Sequence, residues 1–335
     1  MSVSGRTILV TGGASFIGSH ITHALLDSGA NVLAYDSFEF GPPVSLDDFV
    51  QHPRLTLIKG DIRDEDAVKQ AAGKADGLIH LAAFMTSVIV KRPATGLDVN
   101  IAGACKVLSC AAEAGIRSIV LGSSVSAYGA VEGAIDESEG FNPNSLHWGA
   151  ALYGASKVVA EQFSRMLCER HGVNVLSLRY ATVYGPRQHW RGVDAPFFIR
   201  TYEQLKQGKP PRITGDGTEA HDYIDVRDAA RATVKALGFQ AGCDVVNIAT
   251  GVSTSLNGAV DEIRKLAGGP EEVEYIELPA EERGVTATRF SYDTSKADSV
   301  LGFRTRIGLA DGLSDLFEWW ESEGARKYPI PTMSS

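Results

Sequence analysis

The stretch Thr7-Ile-Leu-Val-Thr11-Gly12-Gly13-Ala14-Ser15-Phe16-Ile17-Gly18 decides the fold of this chain. Its first residues are a short apolar run, which predicts a strand. Ile17, Ile21, Ala24 and Leu25 then recur at helical spacing, and Gly29 is a natural stop, so a helix follows the glycines. Glycines in such a turn let the backbone approach an anion. The helix N-terminus adds unpaired N–H groups and the positive end of its dipole. Gly12, Ser15, Phe16, Ile17 and Gly18 are therefore the expected contacts of a pyrophosphate. The spacing G-x-x-G-x-x-G asks for glycine at position 15, where Ser15 stands. A small hydroxyl can donate to a phosphate, so the loop is read as modified rather than lost.

The pattern repeats outward from this unit. Asn31–Tyr35, Leu55–Ile58, Gly77–His80, Ser118–Leu121 and Val173–Leu178 read as strands. Asp64–Ala72, Val99–Ala114 and Tyr153–His171 read as helices between them. Continuous apolar strands spaced by helices predict a parallel sheet covered on both faces, a Rossmann-type doubly wound α/β fold. Ligands of that fold bind beyond the carboxyl ends of the strands. Residues 1–180 are expected to form this domain. Residues 181–335, punctuated by Gly185-Pro186, Pro210-Pro211 and Gly215-Asp-Gly217, form a smaller α/β substrate lobe, with a segment near 220–250 returning to the sheet. Leu309, Leu313, Leu316, Phe317 and Trp320 mark a core-facing helical stripe near the C-terminus.

Composition bounds the function. The 335 residues suit about two domains. A net charge of −9 argues against a nucleic-acid or anionic-membrane partner, either of which needs a basic face. Four cysteines without C-x-x-C spacing read as buried thiols of a reducing compartment, with no disulfide framework and no metal site. There is no signal-peptide layout, and the longest apolar stretch is too short to span a bilayer, so a cytoplasmic location is expected. The 35 glycines, about one residue in ten against a usual ~7%, point to loops that approach a ligand closely.

Asp36 closes the second strand, 18 residues beyond Gly18. A carboxylate there accepts both hydroxyls of an adenosine ribose and repels a 2′-phosphate. No Lys or Arg follows through Phe40, so the expected cofactor is NAD rather than NADP. Asp61 and Ile62, after the third strand, are placed to contact adenine, and Leu81, Ala82 and Ala83 line the exit of the fourth. Tyr153 and Lys157 lie four apart on one helix face. A tyrosine has a pKa near ~10 and is a poor base at neutral pH. A neighbouring ammonium favours its phenolate and so makes it a usable base. A hydroxyl from Ser123-Ser124, after the fifth strand, can hold the substrate oxygen.

With these residues assembled, the chain resembles an extended short-chain dehydrogenase/reductase of the NAD-dependent epimerase/dehydratase family, close in pattern to UDP-glucose/galactose 4-epimerase-like proteins. The resemblance also includes His80-Leu-Ala-Ala83, Val99-Asn100, Ser123-Ser-Val-Ser-Ala-Tyr-Gly129, Leu178-Arg-Tyr-Ala-Thr-Val-Tyr-Gly-Pro-Arg187, Gly215–Asp228 and Asn247–Gly251. It implies Tyr153 as base, Lys157 as its partner and holder of the nicotinamide ribose, and Ser124 on the reacting oxygen. It further implies Asn100, Tyr180 and Val183 around the cofactor, and Thr86, Ser124, Thr182, Arg187, His221 and Arg283 around the substrate. A homodimer through the helices Val99–Ala114 and Tyr153–His171 is implied as well.

The chain also departs from the family. The Asp-Glu pair that 4,6-dehydratases carry after the hydroxyl residue is Val125-Ser126 here, which disfavours dehydration. Thr182 replaces the epimerases' Asn, His221 replaces an Arg that pairs with the diphosphate, and Met85 replaces a Lys. Two readings result. One is a nucleotide-sugar 4-epimerase, with transient hydride transfer to tightly bound NAD through a 4-keto intermediate. The other is an NAD-dependent dehydrogenase of a small polyhydroxylated substrate such as a sugar, sugar acid or hydroxy amino acid. A cofactor-sensing scaffold is disfavoured by retention of Ser124, Tyr153 and Lys157.

Overall fold

Ile8, Leu9 and Val10 are buried on both sides, as a central parallel strand requires. The computed structural model describes residues 2–40, 44–188, 196–277 and 290–327. In it, Thr7–Thr11 (β1), Asn31–Asp36 (β2), Leu55–Lys59 (β3), Gly77–His80 (β4) and Ser118–Ser124 (β5) join Asn174–Tyr180 and Cys243–Ile248 in one seven-stranded sheet. The order is β3-β2-β1-β4-β5, then Asn174–Tyr180, then Cys243–Ile248, and every pairing is parallel. The chain leaves β1 toward β2 on one side, and β4 lies on the other. That reversal opens a crevice at the carboxyl ends of β1 and β4.

Alternation along β1 divides the core. Ile8 and Val10 pack with Ile21 and Leu25 of the helix Phe16–Asp27 (α1) and with alanines of the helix Val226–Ala236. Leu9 faces Val107, Leu108 and Leu167 on the opposite side. Each such fully buried aliphatic side chain contributes about 1.5–3 kcal/mol.

Two helices differ from expectation at their starts. The segment read as Val99–Ala114 opens with a π-helical turn, Asp98–Gly103, before the α-helix Ala104–Glu113. Asn100 sits in that turn, an arrangement that re-aims a side chain. The helix expected from Tyr153 spans Trp148–His171, because His147 accepts a hydrogen bond from the Gly149 amide at 3.2 Å and caps it. Histidine is not among the usual capping residues, so the sequence pattern does not announce this start.

Beyond the sheet, Thr182–Tyr184, Ala220–Asp225 and Ser253–Ser255 form a three-stranded sheet. Gly133–Ile135 pairs with Phe290–Tyr292, and Arg212–Thr214 with Glu274–Ile276. A separate core gathers Tyr184, Phe198 and Tyr223 against Leu313, Phe317 and Trp320, the expected stripe. Among the described residues, no helix is long and apolar enough to cross a membrane.

Candidate active site

The glycine loop lies in the crevice. Gly12 has φ 73°, and a Cβ there would sit 3.0 Å from the Ala82 amide nitrogen. Only glycine lets the β1 turn rest against Leu81–Ala83, the half-buried exit of β4. A Cβ on Gly18 would stand 2.0 Å from the Gly12 carbonyl oxygen, so α1 begins pressed onto the loop. Ser15 caps α1, its Oγ accepting from the Gly18 amide at 3.1 Å. The Ser15 hydroxyl proton is not used by that bond, so it can still donate to an anion. Phe16 and Ile17 follow in the first turn, where no intrahelical carbonyl reaches their amides.

Asp36 ends β2 beside this loop. Its Oδ2 accepts from the Ala14 amide at 3.1 Å and its Oδ1 from the Phe38 amide at 3.0 Å. Burial raises its pKa, and the backbone amides of Phe38, Ala14 and Ser37 oppose the rise. Glycine cradle, helix amides, serine hydroxyl and strand-end carboxylate together fit a dinucleotide.

Five residues expected at the cofactor use their side chains elsewhere. Asp61 is gripped by Arg63 through contacts of 2.6–3.1 Å, which hold its carboxyl below the usual range. Ile62 is buried against Gly103. The Tyr180 hydroxyl bonds to Thr233 at 2.7 Å in the core, since alternation turns that side chain away from the crevice. Asn100 is buried, accepting from the Phe84 amide at 2.7 Å and donating to the Phe84 carbonyl at 2.8 Å. It clamps the chain leaving β4 rather than reaching outward. Val183, half-buried, packs on the core.

Tyr153 and Lys157 are brought together as expected. Tyr153 is 7% exposed, and its hydroxyl donates to Met85 Sδ at 3.7 Å. Lys157 Nζ stands 5.6 Å from the Tyr153 ring centroid and donates to the Gly122 carbonyl at 2.9 Å. Burial pushes its pKa down to about 8, against an upward pull from Glu161. Thr86, half-buried, follows Met85 at the start of the helix Thr86–Lys91. Ser124 ends β5, and its Oγ accepts from the Ser126 amide and contacts Ser126 Oγ, both at 3.1 Å.

The other substrate expectations divide. Thr182 Oγ1 and His221 Nδ1 are 3.5 Å apart on neighbouring parallel strands. Glu219 occupies the other side of the imidazole, 3.0 Å from Nε2. Arg187, at φ 66°, instead pairs with Asp48 at 3.2 Å and lies over the Phe49 ring. The adjacent Pro186 carbonyl bonds His20 of α1 at 2.8 Å, so Arg187 is drawn to the α1 side, away from the Thr182–His221 pair. Arg283 lies outside the described residues.

A model of the NAD dependent epimerase/dehydratase family matches residues 8–249. The chain belongs to that family. It is 33% identical over 322 residues to a putative UDP-glucose 4-epimerase of Methanocaldococcus jannaschii, covering 94% of this chain and 98% of the relative. Among solved structures, the UDP-glucose 4-epimerase of Thermotoga maritima with UDP-glucose superposes with a TM-score of 0.83, at 28% identity, covering 94% and 98%. A dTDP-glucose 4,6-dehydratase double mutant from Streptomyces venezuelae, crystallised with NAD, gives 0.84 at 26% identity, covering 96% and 98%.

In this epimerase/dehydratase-family chain, three polar groups near Tyr153 and Lys157 have no role in the sequence reading. His80 is buried in β4 against Thr11 Oγ1 at 2.6 Å, and burial pushes its pKa down to about 3, so it is neutral. Glu161 and Arg179 form a buried ion pair, with contacts of 3.0 and 2.7 Å. The signals were present: Glu161 continues the four-residue spacing of Tyr153 and Lys157, and Arg179 interrupts an otherwise apolar strand.

Proposed function

We propose that this chain is a nucleotide-sugar 4-epimerase that works with tightly held NAD. The observation that carries the reading is the placement of Tyr153 and Lys157 on one helix face at the crevice that also holds the glycine cradle. Gly12, Ser15, Phe16, Ile17, Gly18 and Asp36 would hold the cofactor, with Leu81, Ala82 and Ala83 lining it. NAD, when bound, would supply a reversible hydride acceptor.

The chain's own groups manage the proton. Tyr153 Oη takes the proton of the sugar hydroxyl and returns it. The Lys157 ammonium stabilises the phenolate that does so. Ser124 Oγ exchanges its Ser126 contact for the reacting oxygen. Thr86 and the Thr182–His221 pair face the substrate. The match to proteins named UDP-glucose 4-epimerase supports the nucleotide-sugar class. Val125 and Ser126 put no carboxylate after Ser124, which favours epimerisation over water loss.

Residues 1–180, with a return near 220–250, serve the cofactor in this reading, and 181–335 mainly the substrate. The protein works as a cytoplasmic homodimer. Of the apolar residues along the helices Val99–Ala114 and Tyr153–His171, Ala104, Val107 and Leu108 are buried in the chain's own core, whereas Ala102 and Val159 are exposed.

One observation favours the dehydrogenase alternative: Glu219 on His221 offsets any positive charge offered to a diphosphate. Incubation with UDP-glucose, UDP-galactose and their N-acetyl and uronic forms, without added NAD, separates the two. Epimer without net NADH supports the proposal, and NADH accumulating with a free sugar or polyol supports the alternative.

A further inference from the structure

Tyr153, Lys157 and Glu161 form one stripe at four-residue intervals on the helix Trp148–His171. The last two grip successive residues of the same strand end. Lys157 Nζ donates to the Gly122 carbonyl at 2.9 Å, and the Ser123 hydroxyl donates to Glu161 Oε1 at 2.6 Å. The next residue is Ser124. Glu161 is 4% exposed, and its two oxygens also accept from Arg179 Nε at 3.0 Å and Arg179 Nη2 at 2.7 Å. Arg179 lies directly across from Ser123 in strand register and carries its guanidinium 4.4 Å from the Tyr128 ring centroid. Tyr128 in turn donates to Asn247 Oδ1 at 2.6 Å.

We propose that Glu161 is a positioning residue for the Tyr153–Lys157 pair: its buried carboxylate keeps Lys157 protonated, and its bond to Ser123 fixes the strand end that presents Ser124. The inference rests on the epimerase reading for its kinetic consequence only.

The electrostatics follow from which groups surround the carboxylate. Lys157 is one turn away on the same helix and feels the carboxylate through charge, while its Nζ donates to the Gly122 carbonyl. Arg179 approaches from the neighbouring strand, and Ser123 from β5. His80, on β4, is neutral and adds no charge beside Lys157. The Tyr128 ring lies against the guanidinium, and its hydroxyl donates to Asn247 Oδ1. A buried ammonium tends to lose its proton, and the near carboxylate opposes that loss. A buried ion pair is weak evidence of stability by itself. The carboxylate of this pair has a role that packing alone does not supply, because it places a negative charge, offset in part by Arg179, one turn from Lys157.

The test uses the holoenzyme as purified, with Glu161→Gln and the double variant Glu161→Leu/Arg179→Met, which replaces both charges with apolar volume. Lysine ¹³Cε resonances are followed by NMR against pH, with Lys157→Met assigning the Lys157 signal. The expected result is a Lys157 midpoint lower by about one pH unit or more in Glu161→Gln. The double variant should shift the same way by less, since Arg179 leaves with the carboxylate. The basic limb of kcat/KM should move by the same amount. An unchanged Lys157 midpoint in either folded variant overturns the proposal. If the wild type epimerises no nucleotide sugar, the epimerase reading fails, while the NMR titration still decides the role of Glu161.

Discussion

Lys157 Nζ sits 5.6 Å from the Tyr153 ring centroid while donating to the Gly122 carbonyl at 2.9 Å. One ammonium thus ties the helix that carries Tyr153 to the strand that ends in Ser124. Its burial has consequences for both turnover and stability.

Turnover should fall on the alkaline side near pH 8, far below an ordinary lysine, because the phenolate loses its cationic partner as Lys157 deprotonates. A kcat/KM profile from pH 6 to 10 checks this. A plateau persisting to pH 10 contradicts it.

Stability should respond in the opposite sense. The folded-state pKa of Lys157 is depressed, to about 8 from an unfolded value of 10.5. Between those values the unfolded chain holds a proton that the folded chain has released, so the Lys157 contribution to stability rises with pH. Below about pH 8 both states are protonated and the full cost of burying the charge is present. Lys157→Met should therefore abolish turnover while raising stability at pH 7 by on the order of 1 kcal/mol or more. Urea midpoints of the two proteins measure it, and a destabilised variant counts against the account.

Tyr153→Phe removes one hydroxyl, whose contacts include the Met85 sulfur. It should lower kcat by about 10²–10⁴ with bound cofactor and melting temperature nearly unchanged. Cofactor content, read by absorbance after denaturation, separates this outcome from a misfolded variant.

The outline of the fold could be read from the sequence because parallel strands buried on both faces leave continuous apolar runs, as at Thr7–Val10 and Gly77–His80. Tyr153, Lys157 and the glycine loop were equally plain, since their roles depend on local spacing. Asn100, Tyr180 and Arg187 were not. Whether a side chain near a crevice points into it depends on strand alternation, a π-helical turn and a partner from another segment, such as Asp48 for Arg187. None of those leaves a local pattern. The His221–Glu219 contact could have been suspected from proximity along the chain, but its geometry could not.

Loop substitutions should rank by what each atom meets. Gly18→Ala puts a methyl 2.0 Å from the Gly12 carbonyl oxygen, so it should abolish cofactor retention. Ser15→Ala removes only a cap and a hydroxyl, and should cost about 1 kcal/mol of stability and weaken cofactor binding modestly. Calorimetry and cofactor content of both variants test the ranking.

Asp36 should make the protein prefer NAD over NADP, and Asp36→Asn should narrow that preference by about tenfold or more through loss of repulsion toward a 2′-phosphate. Competition binding of the two dinucleotides to cofactor-stripped protein measures it. Tighter binding of NADP by the wild type would contradict the role given to Asp36.

Incubating the purified protein with UDP-galactose, UDP-glucose and their N-acetyl and uronic forms, with no NAD added, and following product sugars and absorbance at 340 nm together, decides whether it is a 4-epimerase. At least one substrate should convert to an equilibrium mixture of its 4-epimers with no net NADH, and Tyr153→Phe should not convert it. Absence of any 4-epimer, with NADH accumulating from a free sugar or polyol once NAD is supplied, would contradict the 4-epimerase reading.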